Sequence, residues 1–439
     1  MRSDTFRYWT NWNRNFLCRP ERFARPRSTE DVAGIVRDAA RTGRTVRPVG
    51  SGYSYTPLVQ SDHVMVTLDA FDRVERVDLA DGIAVVGAGM RLDALTRELA
   101  TRGAAFANLG DIDRQTVAGA IGTGTHGTGL GIGSLSSRVR RLTLVDGRGT
   151  VRELGPADSP DLFPSACVSL GALGIVTSVT IQVEPMYNLL VERGGTTFDA
   201  VLRDFDRLAR TNRNFEFFWF PSHGLAYVKK MNVSDGPPVR VGALSRLARA
   251  GNDVLVENGL VWLAAETVRR WPRARKPWLD LGRRVVPQET AVVPADRAYA
   301  TPRYVRHYEV EYALPYSAAA QALAALDEML GRHPVKTVIP VEVRCTAADD
   351  LPLSMSQGRD VMYVAVHAYR HEDYGELFDR CEDLFLRFDG RPHWGKMHSL
   401  QAEALRKRYE RWDEYQRARR ELDPDGVFMN GYLRRILHA

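Results

Sequence analysis

Residues 117–129 read VAGAIGTGTHGTG, and this glycine-rich stretch decides between fold classes. Gly122, Gly124 and Gly127 match the GxGxxG fingerprint of nicotinamide-dinucleotide folds, and Asp146 lies 24 residues past Gly122, near where such folds place a ribose-binding acid. That fingerprint requires a helix at its third glycine. Here glycines recur at every second position from 127 to 133, and each costs a helix about 1 kcal/mol relative to alanine. We therefore reject the nicotinamide interpretation and predict an extended loop against a flat or anionic ligand.

A second glycine-rich loop comes earlier in the chain, directly after a predicted strand. Residues 47–54 read RPVGSGYS. Small residues allow successive backbone N–H groups to converge on an anion such as a pyrophosphate, because no Cβ blocks the approach. A plain tight turn is the structural alternative, since many folds reuse such loops. The loop alone does not decide between the two.

Composition indicates a folded globular protein. The chain has 439 residues, which favours two domains, with 44% hydrophobic and 26% charged residues. The net charge of +6 is small against 60 basic and 54 acidic residues, so no nucleic-acid partner is expected. The four cysteines form no CxxC pair, which predicts neither a metal site nor disulfides. The N-terminus lacks a signal-peptide pattern and no apolar run predicts an integral membrane segment, so we expect a soluble cytoplasmic protein.

Helix and strand signals alternate along the chain and predict an α+β fold. Ser28 and Asp31 form a capping-box pattern before the first helix, and Gly43 ends it. The predicted strands are 45–49, 64–68, 83–87, 139–145, 175–183, 215–220, 226–233, 304–314, 337–345 and 361–369. Helices are predicted at 92–103, 199–211, 317–332, 372–388 and 399–420, and within the weakly patterned region 234–300 at 254–268.

Two of these strands have polar residues on one face. Glu342 and Arg344 alternate with aliphatic residues, and Tyr363, His367 and Tyr369 alternate with aliphatic residues in the next strand. Period two places each polar set on one side of its strand. By pattern alone an exposed ion pair, worth about 0–1 kcal/mol, is the favoured interpretation.

The two loops, their order and the segment SLGALGIV at 169–176 resemble the FAD-binding domain of the vanillyl-alcohol-oxidase superfamily. From about residue 10 to Arg435 the chain resembles the L-gulono-1,4-lactone and D-arabinono-1,4-lactone oxidases, a group that includes alditol oxidases. The resemblance implies an α+β, two-domain fold. A PCMH-type FAD-binding domain would span 1–186, a cap or substrate domain with a mixed or antiparallel sheet flanked by helices 187–398, and a segment returning to the FAD domain 399–439.

The resemblance also implies the cofactor contacts. The first loop would bind the FAD pyrophosphate, the second would lie along the isoalloxazine, and residues 169–176 would contact the dinucleotide. The implied FAD-binding residues are Pro48, Val49, Gly50, Ser51, Gly52, Tyr53, Ser54, Gly119, Gly122, Thr123, Gly124, Thr125, His126, Gly127, Gly174 and Ile175. Tyr53 stands where many relatives carry a His bonded to the flavin 8α-methyl group. Because tyrosine has no imidazole nitrogen, we predict non-covalently bound FAD, whose lower potential weakly favours a dehydrogenase.

The catalytic residues follow from three matches. Glu342 and Arg344 match the E-x-R pair of the family, and both are candidate substrate ligands. His367 matches a His that contacts substrate hydroxyls in the polyol-oxidising branch, with Tyr369 as a further substrate ligand. Residues 391–396, RPHWGK, match the HWxK motif, whose Lys396 would reach the flavin while His393 and Trp394 pack around it.

These matches imply a function. The chain would oxidise a CH–OH group of a sugar-1,4-lactone by hydride transfer to flavin N5, with an alditol or another alcohol as the alternative substrate. Cations such as Lys396 and Arg344 suit the negative charge that develops. The base stays open between Lys396, His367 and solvent, and the electron acceptor between oxygen and another compound. A flavin-binding scaffold without turnover is the alternative from a different class.

Overall fold

The structure is a computed structural model that describes residues 8–239, 259–285, 288–301, 304–333 and 335–438. The strands of its N-terminal half are β1 (Trp9–Thr10), β2 (Leu17–Cys18), β3 (Arg22–Ala24), β4 (Val46–Val49), β5 (Val64–Thr67), β6 (Val74–Asp78), β7 (Ile83–Gly87), β8 (Ala104–Ala105), β9 (Val139–Val145), β10 (Val151–Leu154), β11 (Ile175–Gln182) and β12 (Glu184–Pro185). Its helices are α1 (Thr29–Arg41), α2 (Leu92–Thr101), α3 (Val117–Gly122) and α4 (Phe163–Cys167).

Two sheets organise this half. A parallel sheet has the order β3-β5-β4, and an antiparallel sheet has the order β10-β9-β11-β7-β6. Helix α1 packs an apolar stripe that includes Val32 and Val36 into the core, and its N-terminus carries the predicted capping box of Ser28 and Asp31. The loop at 50–54 follows β4 directly, so the parallel sheet sets its position.

The second glycine-rich stretch differs from the prediction at its start. Residues 117–122 form the short helix α3 rather than an extended loop, because Thr116 caps it and Val117, Ala120 and Ile121 are buried. No helix begins at Gly127, so the rejection of the nicotinamide fingerprint holds. Asp146 is structural. Its buried carboxylate accepts main-chain N–H groups within the β9–β10 turn and pairs with a neighbouring arginine.

The C-terminal half contains one large sheet. Its strands are β13 (Asn188–Thr197), β14 (Asn214–Phe220), β15 (Leu225–Ser234), β16 (Glu289–Pro294), β17 (His307–Pro315), β18 (Val341–Thr346), β19 (Val361–Tyr369) and β20 (Arg391–Pro392). The helices are α5 (Phe198–Thr211), α6 (Gly259–Arg270), α7 (Arg275–Val285), α8 (Ala295–Ala298), α9 (Ala319–Arg332), α10 (Gly375–Arg387), α11 (Ala402–Arg406), α12 (Trp412–Leu422) and α13 (Gly431–Leu437). The sheet order is β16-β13-β15-β14-β18-β19-β17-β20, and every neighbouring pair is antiparallel.

The two faces of this sheet differ in chemistry. Helices α5, α9 and α10 cover one face with an apolar core that includes Phe217, Val343 and Val364. The alternate positions of the same strands carry charged and polar side chains on the opposite face. The α+β fold and the predicted antiparallel sheet flanked by helices are confirmed.

Some elements differ from their predicted bounds. The strands β6, β10, β13 and β16 and the helix α7 were not predicted. The helix predicted at 254–268 is observed from 259, and its first residues lie outside the described part. The helix predicted at 399–420 is two helices, α11 and α12, which pack on the N-terminal half together with α13. All four cysteines are free and buried, and no helix among the described residues is long and apolar enough to cross a membrane.

Candidate active site

A cavity lies between the loop after β4 and the short helix α3. Eleven of the sixteen predicted cofactor ligands line it: Pro48, Val49, Gly50, Ser51, Gly52, Tyr53, Ser54, Gly119, Gly122, Thr123 and Gly174. Lys396, His393 and Gly395 of the HWxK motif line it as well. The structure therefore brings the first loop, the second loop and the predicted catalytic lysine to one cavity.

The first loop has the form of an anion site. Among the described residues, no protein acceptor receives the main-chain N–H groups of Ser51, Gly52, Tyr53 and Ser54. Gly52 has a φ of +71°, a left-handed conformation that helps neighbouring amides converge on one point. Four consecutive unpaired amides beside a cavity fit the phosphate groups of a dinucleotide.

Glycines set the width of the cavity. A Cβ on Gly50 would lie 2.3 Å from Oγ1 of Thr116, and one on Gly89 would lie 1.9 Å from the Leu68 carbonyl oxygen. Larger residues there would push the cavity walls apart. At Gly122 a Cβ would meet only Oγ of Ser169, at 3.7 Å, so α3 presents a flat surface to the cavity. This surface fits a planar ring.

Buried Arg47 ties the cavity walls together. Its guanidinium donates hydrogen bonds to the carbonyl oxygens of Leu170, Gly171 and Phe428, at 2.9, 2.6 and 2.6 Å. Burial lowers the pKa of Arg47 to about 10, so the group stays charged at neutral pH. The segment at 169–174 and the C-terminal segment are thereby fixed to β4.

The remaining predicted cofactor ligands lie off this cavity. Gly124 faces Met355, Gly127 packs against Asn108, and Ile175 is buried within β11. Thr125 is buried next to them. His126 turns toward the large sheet, where its Nε2 lies 3.2 Å from Oε1 of Glu311 and its ring stacks on Tyr363.

Arg344 is the centre of an acidic cluster on the polar face of the sheet. Phe217 of β14 pairs with Val343 of β18, which places Glu216 beside Arg344. The guanidinium donates to Oε2 of Glu216 at 3.0 Å, lies 3.2 Å from Oδ2 of Asp111, and contacts Glu342. Burial alone would lower the pKa of Arg344, but the three carboxylates outweigh it and raise that pKa well above its usual value.

Lys396 belongs to a second cluster and also borders the cavity. Its ammonium donates to Oε2 of Glu309 and lies 3.9 Å from Oε2 of Glu311. Burial would lower the pKa of Lys396, but Glu309 and then Glu311 raise it. Burial would raise the pKa of Glu309, but opposing effects, of which the ammonium of Lys396 is the largest, hold the pKa well below its usual value. Lys396 is therefore a fixed cation at neutral pH and not a free base.

Two histidines face the same carboxylate. Nδ1 of His367 lies 2.7 Å from the Pro340 carbonyl oxygen, and Nδ1 of His307 lies 2.9 Å from that of Val305. A carbonyl only accepts hydrogen bonds, so each Nδ1 carries a proton, and in a neutral ring Nε2 is then an acceptor. Both Nε2 atoms lie 3.7 Å from Glu309. Burial lowers the pKa of His367 to about 3, so its ring is neutral.

The other predicted residues have structural contacts. The hydroxyl of Tyr369 donates to Oε1 of Glu266 on α6 at 2.8 Å, so the structure does not bring this hydroxyl to Arg344. Trp394 is buried, and its indole N–H donates to the Leu353 carbonyl oxygen. The main-chain N–H of His393 donates to the Glu311 carbonyl oxygen. Packing around the lysine loop is the role that the sequence analysis gave to these two residues.

Sequence reasoning missed several members of the two clusters. His307, Glu309 and Glu311 alternate with apolar residues in β17, which is the same period-two signal that singled out Glu342. Glu216 is the single acid in the apolar strand NFEFFWF. An isolated acid in such a strand is a sequence signal for a buried, paired carboxylate. Asp111 lies outside the helices and strands, and no pattern in the sequence indicated it.

Comparisons with known proteins identify the family of this chain. The family model described as D-arabinono-1,4-lactone oxidase matches residues 179–436, and an FAD-binding domain model matches residues 20–155. An L-gulono-1,4-lactone dehydrogenase of Mycobacterium tuberculosis is 37% identical over 98% of this chain and 99% of its own. The mouse L-gulonolactone oxidase and a Streptomyces alditol oxidase are each 31% identical over 98% of both chains.

A solved structure shows the fold at lower identity. A cholesterol oxidase variant from Brevibacterium sterolicum has a TM-score of 0.80 and 18% identity, and the match covers 98% of this chain and 97% of that one. The resemblance drawn from the two glycine-rich loops and the HWxK motif is confirmed by the family models. The chain thus belongs to the D-arabinono-1,4-lactone oxidase family and is an FAD-dependent oxidoreductase.

Proposed function

We propose that this chain oxidises a CH–OH group of a sugar-1,4-lactone, of the L-gulono or D-arabinono type, and that its FAD is bound non-covalently. The observation that carries the proposal is the position of Lys396, which borders the glycine-walled cavity and the polar sheet face at once. Glu342 and Arg344 lie on that same face. The names of relatives that match nearly the whole chain support the substrate class.

The residues at the cavity divide into those that hold the cofactor and those that shape its ring site. The unpaired amides from Ser51 to Ser54 would bind the pyrophosphate, and the surface at Gly119 and Gly122 would lie along the ring. Bound FAD would supply the hydride acceptor. Tyr53 stacks on Trp12 with ring centroids 5.4 Å apart, and burial raises the pKa of Tyr53, so its phenol stays neutral. A histidyl link to the cofactor cannot form at this residue.

The polar face would bind and orient the substrate. Neutral His367 offers Nε2 to a substrate hydroxyl, whereas Lys396 is held as a cation by Glu309. Because burial lowers the pKa of His367 to about 3, its ring would orient the hydroxyl as a hydrogen-bond acceptor, and the hydroxyl proton would pass to solvent. Lys396 and Arg344 would stabilise the negative charge that develops during oxidation. We place this activity in the cytoplasm, because the four free cysteines suit a reducing compartment.

The substrate class is tested by anaerobic reduction of the bound flavin. We expect L-gulono-1,4-lactone or D-arabinono-1,4-lactone to bleach the flavin absorbance at least about 10-fold faster than xylitol or sorbitol at equal concentration. A tenfold ratio of rates corresponds to a difference of about 1.4 kcal/mol in activation free energy. The open-chain alditols serve as the comparison because a relative of 31% identity is named an alditol oxidase. Faster bleaching by the alditols would make the chain an alditol oxidase instead. Re-oxidation of the reduced protein by oxygen or by a dye then identifies the acceptor type.

The attachment of FAD is tested by acid precipitation of the purified protein. We expect all of the yellow colour to move into the supernatant, because the Tyr53 side chain at the cavity cannot form a histidyl bond. The absorption spectra of pellet and supernatant measure this directly. Flavin that stays in the pellet would contradict non-covalent binding while leaving the proposed substrate class intact.

A further inference from the structure

We propose that the first turn of α6, together with Trp271, is a docking surface for an anionic phospholipid bilayer. The surface consists of Leu260, Val261, Trp262, Leu263 and Trp271, and we call it the Trp262 patch. None of its residues lines the cofactor cavity, although Trp262 borders a neighbouring cavity together with Trp12 and Tyr369. Its proposed role does not depend on which sugar the enzyme oxidises.

The Trp262 patch is an unusual concentration of exposed apolar side chains. Their exposed fractions are 45% for Leu260, 40% for Val261, 53% for Trp262, 45% for Leu263 and 64% for Trp271. Five large apolar residues within twelve positions therefore face solvent. Exposed apolar surface concentrated in this way marks sites of association with a protein or a membrane.

The opposite side of the helix fixes the patch in place. Ala264, Ala265 and Val268 are buried and pack in a cluster with Val338 and Tyr369. Rotation of the helix to bury Trp262 would therefore expose these three residues. The twelve residues of α6 span about 18 Å, too short for the roughly 30 Å hydrocarbon core of a bilayer. Contact with a membrane would be peripheral.

The charge of the segment that carries the patch favours an anionic surface. Residues 259–285 contain seven basic and two acidic residues, an excess of five positive charges: Arg269, Arg270, Arg273, Arg275, Lys276, Arg283 and Arg284 against Glu266 and Asp280. Glu266 already pairs with Arg269 and Arg270, and Asp280 with Lys276. Arg273, Arg283 and Arg284 are exposed. Basic residues beside exposed Trp and Leu side chains are typical of helices that bind anionic membrane surfaces.

Charge also argues against a second copy of this chain as the occupant. A symmetric dimer through the patch would bring two equally basic surfaces together, and like charges across an interface oppose association. A bilayer with anionic headgroups attracts the arginines and accepts the apolar side chains. We therefore assign the patch to the membrane.

Vesicle sedimentation of the flavin-loaded full chain tests the assignment. We expect binding to vesicles of phosphatidylcholine with phosphatidylglycerol, little binding to phosphatidylcholine alone, and a decrease with added salt because ions screen the attraction. The Trp262→Ala/Leu263→Ala variant should bind anionic vesicles at least about 10-fold more weakly. An Arg273→Glu/Arg283→Glu/Arg284→Glu variant should lose binding as well.

The matched control removes two exposed apolar residues from the N-terminal half. Leu79→Ala/Val151→Ala, at positions that are also about 40% exposed, should bind vesicles like the wild type. Equal sedimentation of the wild type with and without anionic vesicles, or full binding by the Trp262 variant, would overturn the proposal. So would wild-type self-association in solution that the Trp262 variant abolishes, since a second copy would then occupy the patch.

Discussion

In the Lys396→Met variant, flavin reduction by the substrate is expected to be at least about 100-fold slower than in the wild type, with the flavin still bound. Lys396 is partly buried, and the carboxylates of Glu309 and Glu311 keep it charged. Removal of one group that stabilises transition-state charge typically costs a factor of about 100 to 1,000. Methionine is unbranched, as lysine is, but it carries no charge. Rapid-mixing measurement of flavin absorbance under anaerobic conditions gives the rate.

Two further variants make this result specific. Lys230→Met removes a lysine that pairs with Glu192 on the surface of β15, at 3.2 Å, and should leave the rate within about twofold because exposed pairs contribute little. Lys396→Arg keeps the charge and should recover part of the lost rate. Flavin content after acid release separates slow reduction from loss of cofactor. An unchanged reduction rate in Lys396→Met would remove the lysine from the mechanism.

The sequence predicted the parts of the site that follow a local pattern. Period-two alternation placed Glu342 and Arg344 on one face of β18 and His367 on one face of β19. Because alternation is a property of each strand by itself, these two assignments required no knowledge of the fold. That the two faces form one surface follows from the sheet register, which pairs Glu342 with Ala365. Glu309 and Glu311 obey the same alternation, and their roles depend on the sheet order that brings β17 beside β19.

Contacts between distant segments set the limit of sequence reasoning. Asp111 reaches Arg344 from a loop of the N-terminal half, and no spacing in the sequence relates the two. The strand β13 carries charges and the pair Gly194 and Gly195, and it is a strand because β15 and β16 pair with both of its edges. At 117–122 the buried apolar residues and the Thr116 cap outweighed the glycines. Tertiary burial overrode local propensity there.

In the Arg344→Ala variant, the free energy of unfolding is expected to fall by about 3–5 kcal/mol, the usual result of removing one partner from a buried ion pair. Three carboxylates, those of Asp111, Glu216 and Glu342, surround this guanidinium and are themselves buried. Without Arg344 their negative charges repel one another in a region from which water is largely excluded. Denaturation in urea, monitored by circular dichroism, measures the loss.

A second substitution separates this electrostatic effect from a simple cavity. In the Arg344→Ala background, Glu342→Gln removes one of the three like charges, so it should restore part of the stability, whereas a cavity left by the arginine would be unaffected. Arg193→Ala, which breaks a partly exposed pair with Glu289 at 3.9 Å, should cost about 0–1 kcal/mol. If Arg344→Ala costs no more than Arg193→Ala, Arg344 does not balance the buried acids. A loss that Glu342→Gln partly reverses would mean that Arg344 balances the charge of the buried carboxylates. The residue proposed to stabilise charge in the reaction would then also stabilise the fold.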